Sequence, residues 1–296
     1  MNKFHFRDRV GILDERSRHF LVTVTWLGGY VTAEQAQELG IRNSVPRVHV
    51  QLKDLESCGF IKRISTYPAV YQVTKSVARL MGADFSARRQ HAIETIRTRI
   101  LTVNFYLEAL AWPVDFVFNH GRKLSKFGEL GCESGLLPQR GGKPYLWQDF
   151  VLQRRSGDLA VVMVDHFGRS AQRQLYRFLK RFARCLGFLQ DKLRLLVVVG
   201  SDARLRVYTR LLDHPKLQRI VADGPGGLAS VVKLYRIRRS VPVIRSLEPI
   251  SRDLRELRAL GPLRDPQSHS AQQNGQATHN NASHKDGQDF WIEWSE

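Results

Sequence analysis

Cysteine is scarce in this chain: Cys58, Cys132 and Cys185 are the only three in 296 residues. They share no Cys-x-x-Cys or Cys/His spacing, so neither a disulfide framework nor a zinc site is expected, and a reducing, cytoplasmic setting fits. Long apolar runs are also missing. No segment approaches the ~18 apolar residues that a membrane span requires, and Met1-Asn-Lys-Phe-His-Phe-Arg-Asp-Arg has no apolar signal core behind it. No stretch reads as an amphipathic helix with a dedicated basic face, so no membrane partner is expected. Acidic residues are the last scarcity. The 28 Asp and Glu face 46 Lys and Arg, giving a net charge of +18 and an isoelectric point near 10.3. That balance points to a polyanion, because neutralising phosphates with Lys and Arg supplies most sequence-independent nucleic-acid affinity. The competing reading is a basic surface that is only solvated.

Residues 15–82 carry the pattern of a winged helix-turn-helix. Phe20, Leu21, Val24 and Leu27 fall at helical spacing, and Gly28-Gly29 stops that helix. Thr32 is placed to cap a short second helix, with Glu34 and Gln35 in its first turn. Gly40 makes the turn to a third helix over 45–58, which Ser44 can cap and Pro46 can open, its missing N–H being no loss in the first turn. Val48, Leu52 and Leu55 form its buried stripe. Arg42, Asn43, Arg47, His49, Gln51 and Lys53 are left to point outward, a set suited to base edges and phosphates. A hairpin over 60–65 and 69–73 follows, its Lys62, Arg63 and tip Tyr67 placed for the flanking backbone. Double-stranded DNA is the expected partner. A winged helix used only for protein contact is the other reading.

Residues 86–111 read as a long helix, with Ile93, Ile96, Ile100, Val103 and Leu107 on one face and Arg88, Arg89, Arg97 and Arg99 on the rest. These basic positions, Arg88 and Arg89 among them, would extend the DNA footprint; the other reading is that several of them are only solvated. Trp112-Pro113 ends this helix, so a DNA-binding domain (1–84), a linking helix (85–112) and a second domain (113–261) are expected. The second domain alternates strand and helix patterns. Strands at 147–152 and 159–164 form a hairpin, a strongly amphipathic helix spans 170–190, and a buried strand spans 193–200. A further helix at 203–212 and a strand at 230–235 follow. That order predicts an α+β chain with a mixed sheet rather than a doubly wound one. Residues 120–145 show no periodicity and read as a loop or hairpin arm. Residues 262–288 collapse into Gln, Asn, Ser, His and Gly, a composition that cannot bury enough surface to order itself. They tether an acidic aromatic tip, in which Phe290, Trp291 and Trp294 would dock on a protein partner or pack back on the basic body.

One pair of residues could carry chemistry. Asp149 lies in the first strand of the hairpin and Asp165 ends the second. Two carboxylates at the ends of adjacent strands are how metal-dependent nucleases hold Mg²⁺ beside a scissile phosphate. The set is incomplete, because Met163 stands where a second acid would help and no Lys follows. Asp165 could equally cap the next helix, and Asp149 could be a solvated strand-end acid.

Several segments resemble the replication-relaxation family of mobile elements. They are Tyr71-Gln-Val-Thr-Lys in the hairpin, Thr102-Val-Asn-Phe-Tyr in the long helix, Gln148-Asp-Phe-Val-Leu, Val164-Asp165, and Leu175-Tyr-Arg-Phe-Leu-Lys-Arg-Phe-Ala-Arg. The resemblance implies a second domain of restriction-endonuclease-like fold, with Asp on its first strand and Glu-x-Asp on its second. Asp149 and Asp165 match, Met163 departs, and Glu108 is the one spare carboxylate nearby. Three functions follow as expectations. The first is a DNA-binding protein, catalytically degenerate, acting in plasmid replication, mobilisation or their control. The second is a Mg²⁺-dependent nickase using Asp149 and Asp165. The third is a transcriptional regulator whose second domain dimerises the chain or senses a partner.

Overall fold

A computed structural model describes residues 11, 13–80, 91–166, 170–221 and 227–244. These belong to one compact unit, Met1–Pro249; the second unit, Ile250–Glu296, lies outside the described residues, and with it Phe290, Trp291 and Trp294. Arg88 and Arg89 also lie outside them.

The first module opens with α1 (Glu15–Trp26), where the Asp14 carboxylate accepts from the Ser17 N–H at 2.8 Å and so satisfies one of the free amides of the first turn. Gly28 (φ 105°) turns the chain into β1 (Tyr30–Thr32). No other residue suits this position, since a Cβ would also meet the Arg99 side chain at 3.0 Å. α2 (Ala33–Glu38) begins with a reciprocal capping box. The Gln35 N–H donates to Thr32 Oγ1 and the Thr32 N–H to Gln35 Oε1, both at 3.1 Å. α3 (Val45–Ser57) buries Val48, Leu52 and Leu55, and Pro46 sits in its first turn as expected; Ser44 precedes it but makes no side-chain cap. β2 (Ile61–Thr66) and β3 (Ala69–Val73) form a hairpin, and α4 (Lys75–Leu80) closes the module. The sheet order is β1-β3-β2, antiparallel throughout. Phe20, Leu21, Leu52, Leu55, Phe60 and Val73 make its core.

α5 (Ile93–Ala109) is shared property. The expected face packs on the first module: Ile96 and Ile100 meet Tyr30, Ile64 and Val70, while Val103 and Leu107 meet Leu27. A second face, Leu101, Phe105 and Ala109, packs on the large sheet against Leu152, Val162 and Val198. A helix apolar on two sides is a core helix rather than a linker. Polar contacts reinforce this. The buried Gln35 Nε2 donates to the Ile100 carbonyl (2.9 Å) and to Asn104 Oδ1 (2.7 Å), and Asn104 donates in turn to the Ser240 carbonyl at 3.2 Å. Arg97 donates to the Ile244 carbonyl and Arg99 to the Gly28 carbonyl, at 3.0 and 2.9 Å. These two arginines, expected on a solvated face, therefore tie α5 to its neighbours.

The remaining elements build a five-stranded sheet in the order β10-β9-β8-β7-β4. They are β4 (Val114–Val117), α6 (His120–Glu129), the short arm β5 (Gln139–Arg140) and β6 (Lys143–Pro144), β7 (Phe150–Arg154) and β8 (Leu159–Asp165). Then come α7 (Ala171–Leu189), β9 (Leu193–Val199), α8 (Asp202–Leu212), α9 (Pro215–Gln218), α10 (Gly227–Val231) and β10 (Val232–Arg236). β4, β7 and β8 run antiparallel, and β8, β9 and β10 parallel. Parallel neighbours need a crossover, which α7 supplies for β8–β9 and α8–α10 for β9–β10. The crossover helices bury Leu175, Leu179, Phe182, Tyr208 and Leu228 on the sheet face opposite α5. The result is a mixed α+β fold with the sheet between two helical layers, as the alternating pattern predicts. The sequence reading passes over β1, β4 and α6. α6 falls in the segment read as loop, and Asn119 caps it by accepting from the Arg122 N–H at 3.0 Å.

Candidate nucleic-acid interface and the paired acids

The outward face of α3 sorts the residues expected to meet DNA. Arg47, His49 and Lys53 are exposed, and no described residue bonds to their side chains. Arg42 is different. Its guanidinium pairs with Asp14, donates to Gln51 Oε1 and to the Ile41 carbonyl, and so anchors the turn before α3 instead of projecting from it. Gln51 is half-buried in the same network. Asn43 is exposed, with Oδ1 accepting from Arg16 at 3.2 Å. On the hairpin, Lys62 is half-buried, Arg63 is exposed, and Tyr67 at the tip is 86 % exposed. Val50, 61 % exposed, stands between Arg47 and Lys53 on the outward side of α3, and Val45, 51 % exposed, is the first residue of the helix. Val50 was not singled out from the sequence, although Pro46, His49, Val50 and Lys53 fall at one helical spacing; exposed methyl groups there suit the thymine methyl in the major groove.

Asp149 and Asp165 lie at the same end of adjacent antiparallel strands, on the sheet face covered by α7 and α8. Each is taken by a different arginine. Arg181 of α7 donates to Asp149 Oδ2 at 2.7 Å and to the Tyr145 carbonyl at 3.0 Å. Arg204 of α8 pairs with Asp165, whose Oδ2 also accepts from the Tyr208 hydroxyl at 2.6 Å. Both carboxylates are buried, 6 % and 3 % exposed. No group of three or more His, Cys, Asp or Glu side chains among the described residues could hold a metal ion. Glu108, the spare acid, accepts from the Tyr235 hydroxyl (2.6 Å) and from the Arg238 and Arg239 N–H groups (2.9 and 2.8 Å), which caps the turn after β10. His166 is half-buried. Burial and the nearby Arg97 push its imidazole pKa down, against the opposing pull of Asp165. The donor set therefore does not fit Mg²⁺: Oδ2 of each acid already accepts from a guanidinium, that of Asp165 also from a hydroxyl, and no third acid joins them among the described residues.

Asp149 does border a cleft of about 450 Å³ lined by Trp26, Arg99, Trp147, Met163, Arg177 and Arg181, among others. Trp147 lies flat between Trp26 and His120, with ring centroids at 6.1 and 4.7 Å. Burial raises Asp149 to about 6, against the opposing pull of Arg181 and Lys123. Burial also lowers Lys123, whose Nζ donates to the Leu146 carbonyl, to about 8, opposed by Asp149. A carboxyl raised in the folded state binds its proton more tightly there than in the unfolded chain. Its stabilising contribution is complete below pH ~4 and is lost as pH rises through about 6. The stability of the protein relative to Asp149→Asn should thus fall by about 2 kcal/mol between pH 4 and 7. Urea midpoints across that range check this, and a pH-independent difference contradicts it.

Comparison with protein-family models, with curated proteins and with solved structures finds no match for this chain. No described helix is long and apolar enough to cross a membrane.

Proposed function

We propose that the first module is a winged helix-turn-helix that binds duplex DNA through α3 and the β2–β3 hairpin. On this reading the chain is a sequence-reading DNA-binding protein of a mobile genetic element, acting in replication or mobilisation or in the control of either. The observation that carries the DNA reading is the outward face of α3. Arg47, His49 and Lys53 are exposed and bonded to no described residue, around the exposed methyls of Val50, on a chain of net charge +18. A face that mixes bidentate donors, a cation and methyl groups, with no described element packed over it, is what major-groove readout requires. The resemblance to replication-relaxation proteins supplies the mobile-element setting. It also supports reading the β4–β7–β8–α7–β9 arrangement as a restriction-endonuclease-like domain.

The arginine-paired acids favour a scaffold over a nickase. A Mg²⁺ site would have to displace Arg181 from Asp149 and both Arg204 and Tyr208 from Asp165. The test is a fluorescence-anisotropy titration of labelled duplex DNA at several salt concentrations. Three or more phosphate contacts give a slope of log affinity on log salt of about −2.7 or steeper. Absence of duplex binding at about 50 mM salt, where such contacts are strongest, contradicts the reading.

A further inference from the structure

α7 is amphipathic in a way that its buried face does not explain. Its inner face fills the core of the α/β module through Leu175, Leu179 and Phe182. Its other face carries Arg173, Arg177, Lys180, Arg181 and Arg184, and the helix contains no Asp or Glu. This corrects the expectation that no helix here pairs amphipathicity with a basic face. Only Arg181 is neutralised, by Asp149; the other four have no ion-pair partner among the described residues. Arg173, Arg177, Lys180 and Arg184 recur at i, i+4, i+7 and i+11, so they form one stripe with steps of about 4.5–6 Å along the helix axis. Like charges at i, i+4 weaken a helix by a few tenths of a kcal/mol per pair, and nothing in the helix relieves them. Two aromatic side chains interrupt the same face: Tyr176 is 41 % exposed and Phe188 is 52 % exposed. The basic arm adds to the surface, since Arg181 reaches the Tyr145 carbonyl and the exposed Arg140 is stacked at 4.8 Å on the Tyr145 ring. Arg177 also lines the cleft beside Trp26 and Trp147.

We infer that the exposed face of α7 is a second nucleic-acid site, and that its ligand is single-stranded DNA. The stripe of four unpaired cations tracks the phosphate backbone. Tyr176 and Phe188 offer ring faces on which unpaired bases stack, a contact open to a single strand and closed to bases already stacked in a duplex. Cations alone would suit either form of DNA or an anionic membrane surface; the exposed rings beside them choose the single strand. The site is separate from α3, so it stands or falls apart from the duplex reading.

The experiment uses the full chain with a fluorescein-labelled 20-nucleotide mixed-sequence strand, the matching duplex, and phosphatidylserine vesicles. In Arg177→Gln/Lys180→Gln the salt slope for the single strand should become shallower by about 1.4, the release expected for two lost phosphate contacts. Tyr176→Ala should weaken single-strand binding about fivefold or more, with the slope unchanged. Arg47→Ala should leave single-strand binding as it is. Both α7 variants alter exposed side chains, and an unchanged melting temperature confirms that each is folded. Single-strand affinity unchanged in both α7 variants overturns the inference. So does an equal loss of duplex and single-strand affinity, which would mean an unselective basic surface. Vesicle binding without single-strand binding overturns it in favour of a membrane face.

Discussion

Asp165→Ala is expected to destabilise the protein by about 3–5 kcal/mol, the cost of removing one partner from a buried pair and leaving the other unpaired. Asp165 is 3 % exposed and receives both the Arg204 guanidinium and the Tyr208 hydroxyl. Its loss strands a buried cation and leaves the Tyr208 phenol, whose ionisation burial resists, without its acceptor. A metal-site acid behaves in the opposite way. Clustered carboxylates without their ion repel one another, so removing one leaves stability unchanged or raises it. The sign of the change therefore separates a scaffold from a cleavage centre without any activity measurement. Tyr208→Phe removes one hydrogen bond and keeps the ion pair, and it should cost about 1–3 kcal/mol. Guanidinium unfolding of both variants is the check, and an Asp165→Ala variant as stable as the parent refutes the structural role.

The second large effect concerns binding. The Arg47→Ala/Lys53→Ala variant should lose about 2–4 kcal/mol of duplex affinity, roughly thirtyfold to several hundredfold. The Arg47 share should appear as relaxed preference at one base pair, and the Lys53 share as a slope on log salt shallower by about 1. Arg42→Ala makes a useful contrast. Because Arg42 is engaged by Asp14 and Gln51, its loss should act first on the melting temperature, by loosening the turn that sets α3. Affinity measured by anisotropy, with stability measured in parallel, separates the two residues. Equal loss of affinity in the two variants with no change in melting temperature contradicts this division.

The first module was the most legible part of the sequence because its signals are local. Val48, Leu52 and Leu55 at helical spacing, Thr32 with Gln35, and Gly28 each act within a turn or two of the chain. What composition could not show was which polar side chains are already engaged. Arg42 and Gln51 look identical to Arg47 and Lys53 until Asp14 is brought beside them, 28 residues away in sequence. Arg97 and Arg99 sit among positions read as solvated, yet they reach backbone carbonyls of Ile244 and Gly28. The same distance effect governs the acids. Asp149 meets Arg181 across 32 residues and Asp165 meets Tyr208 across 43; periodicity found the hairpin, although the first strand begins at Phe150 and Asp149 precedes it, and said nothing of their partners. α6 was missed because its polar composition outweighs its two apolar anchors, Leu124 and Phe127. The basic stripe of α7 was present in the spacing of residues 173, 177, 180 and 184, on the side of the helix opposite its apolar face.

The central claim is that α3 reads duplex DNA, and selection from a random duplex library by the full-length protein tests it most directly. Successive rounds of capture and sequencing should enrich one motif, and Arg47→Ala should bind the same library with that enrichment reduced at a defined base pair. Capture of duplex with no motif enriched above the starting library would contradict sequence reading by α3, leaving only a basic surface that holds DNA of any sequence.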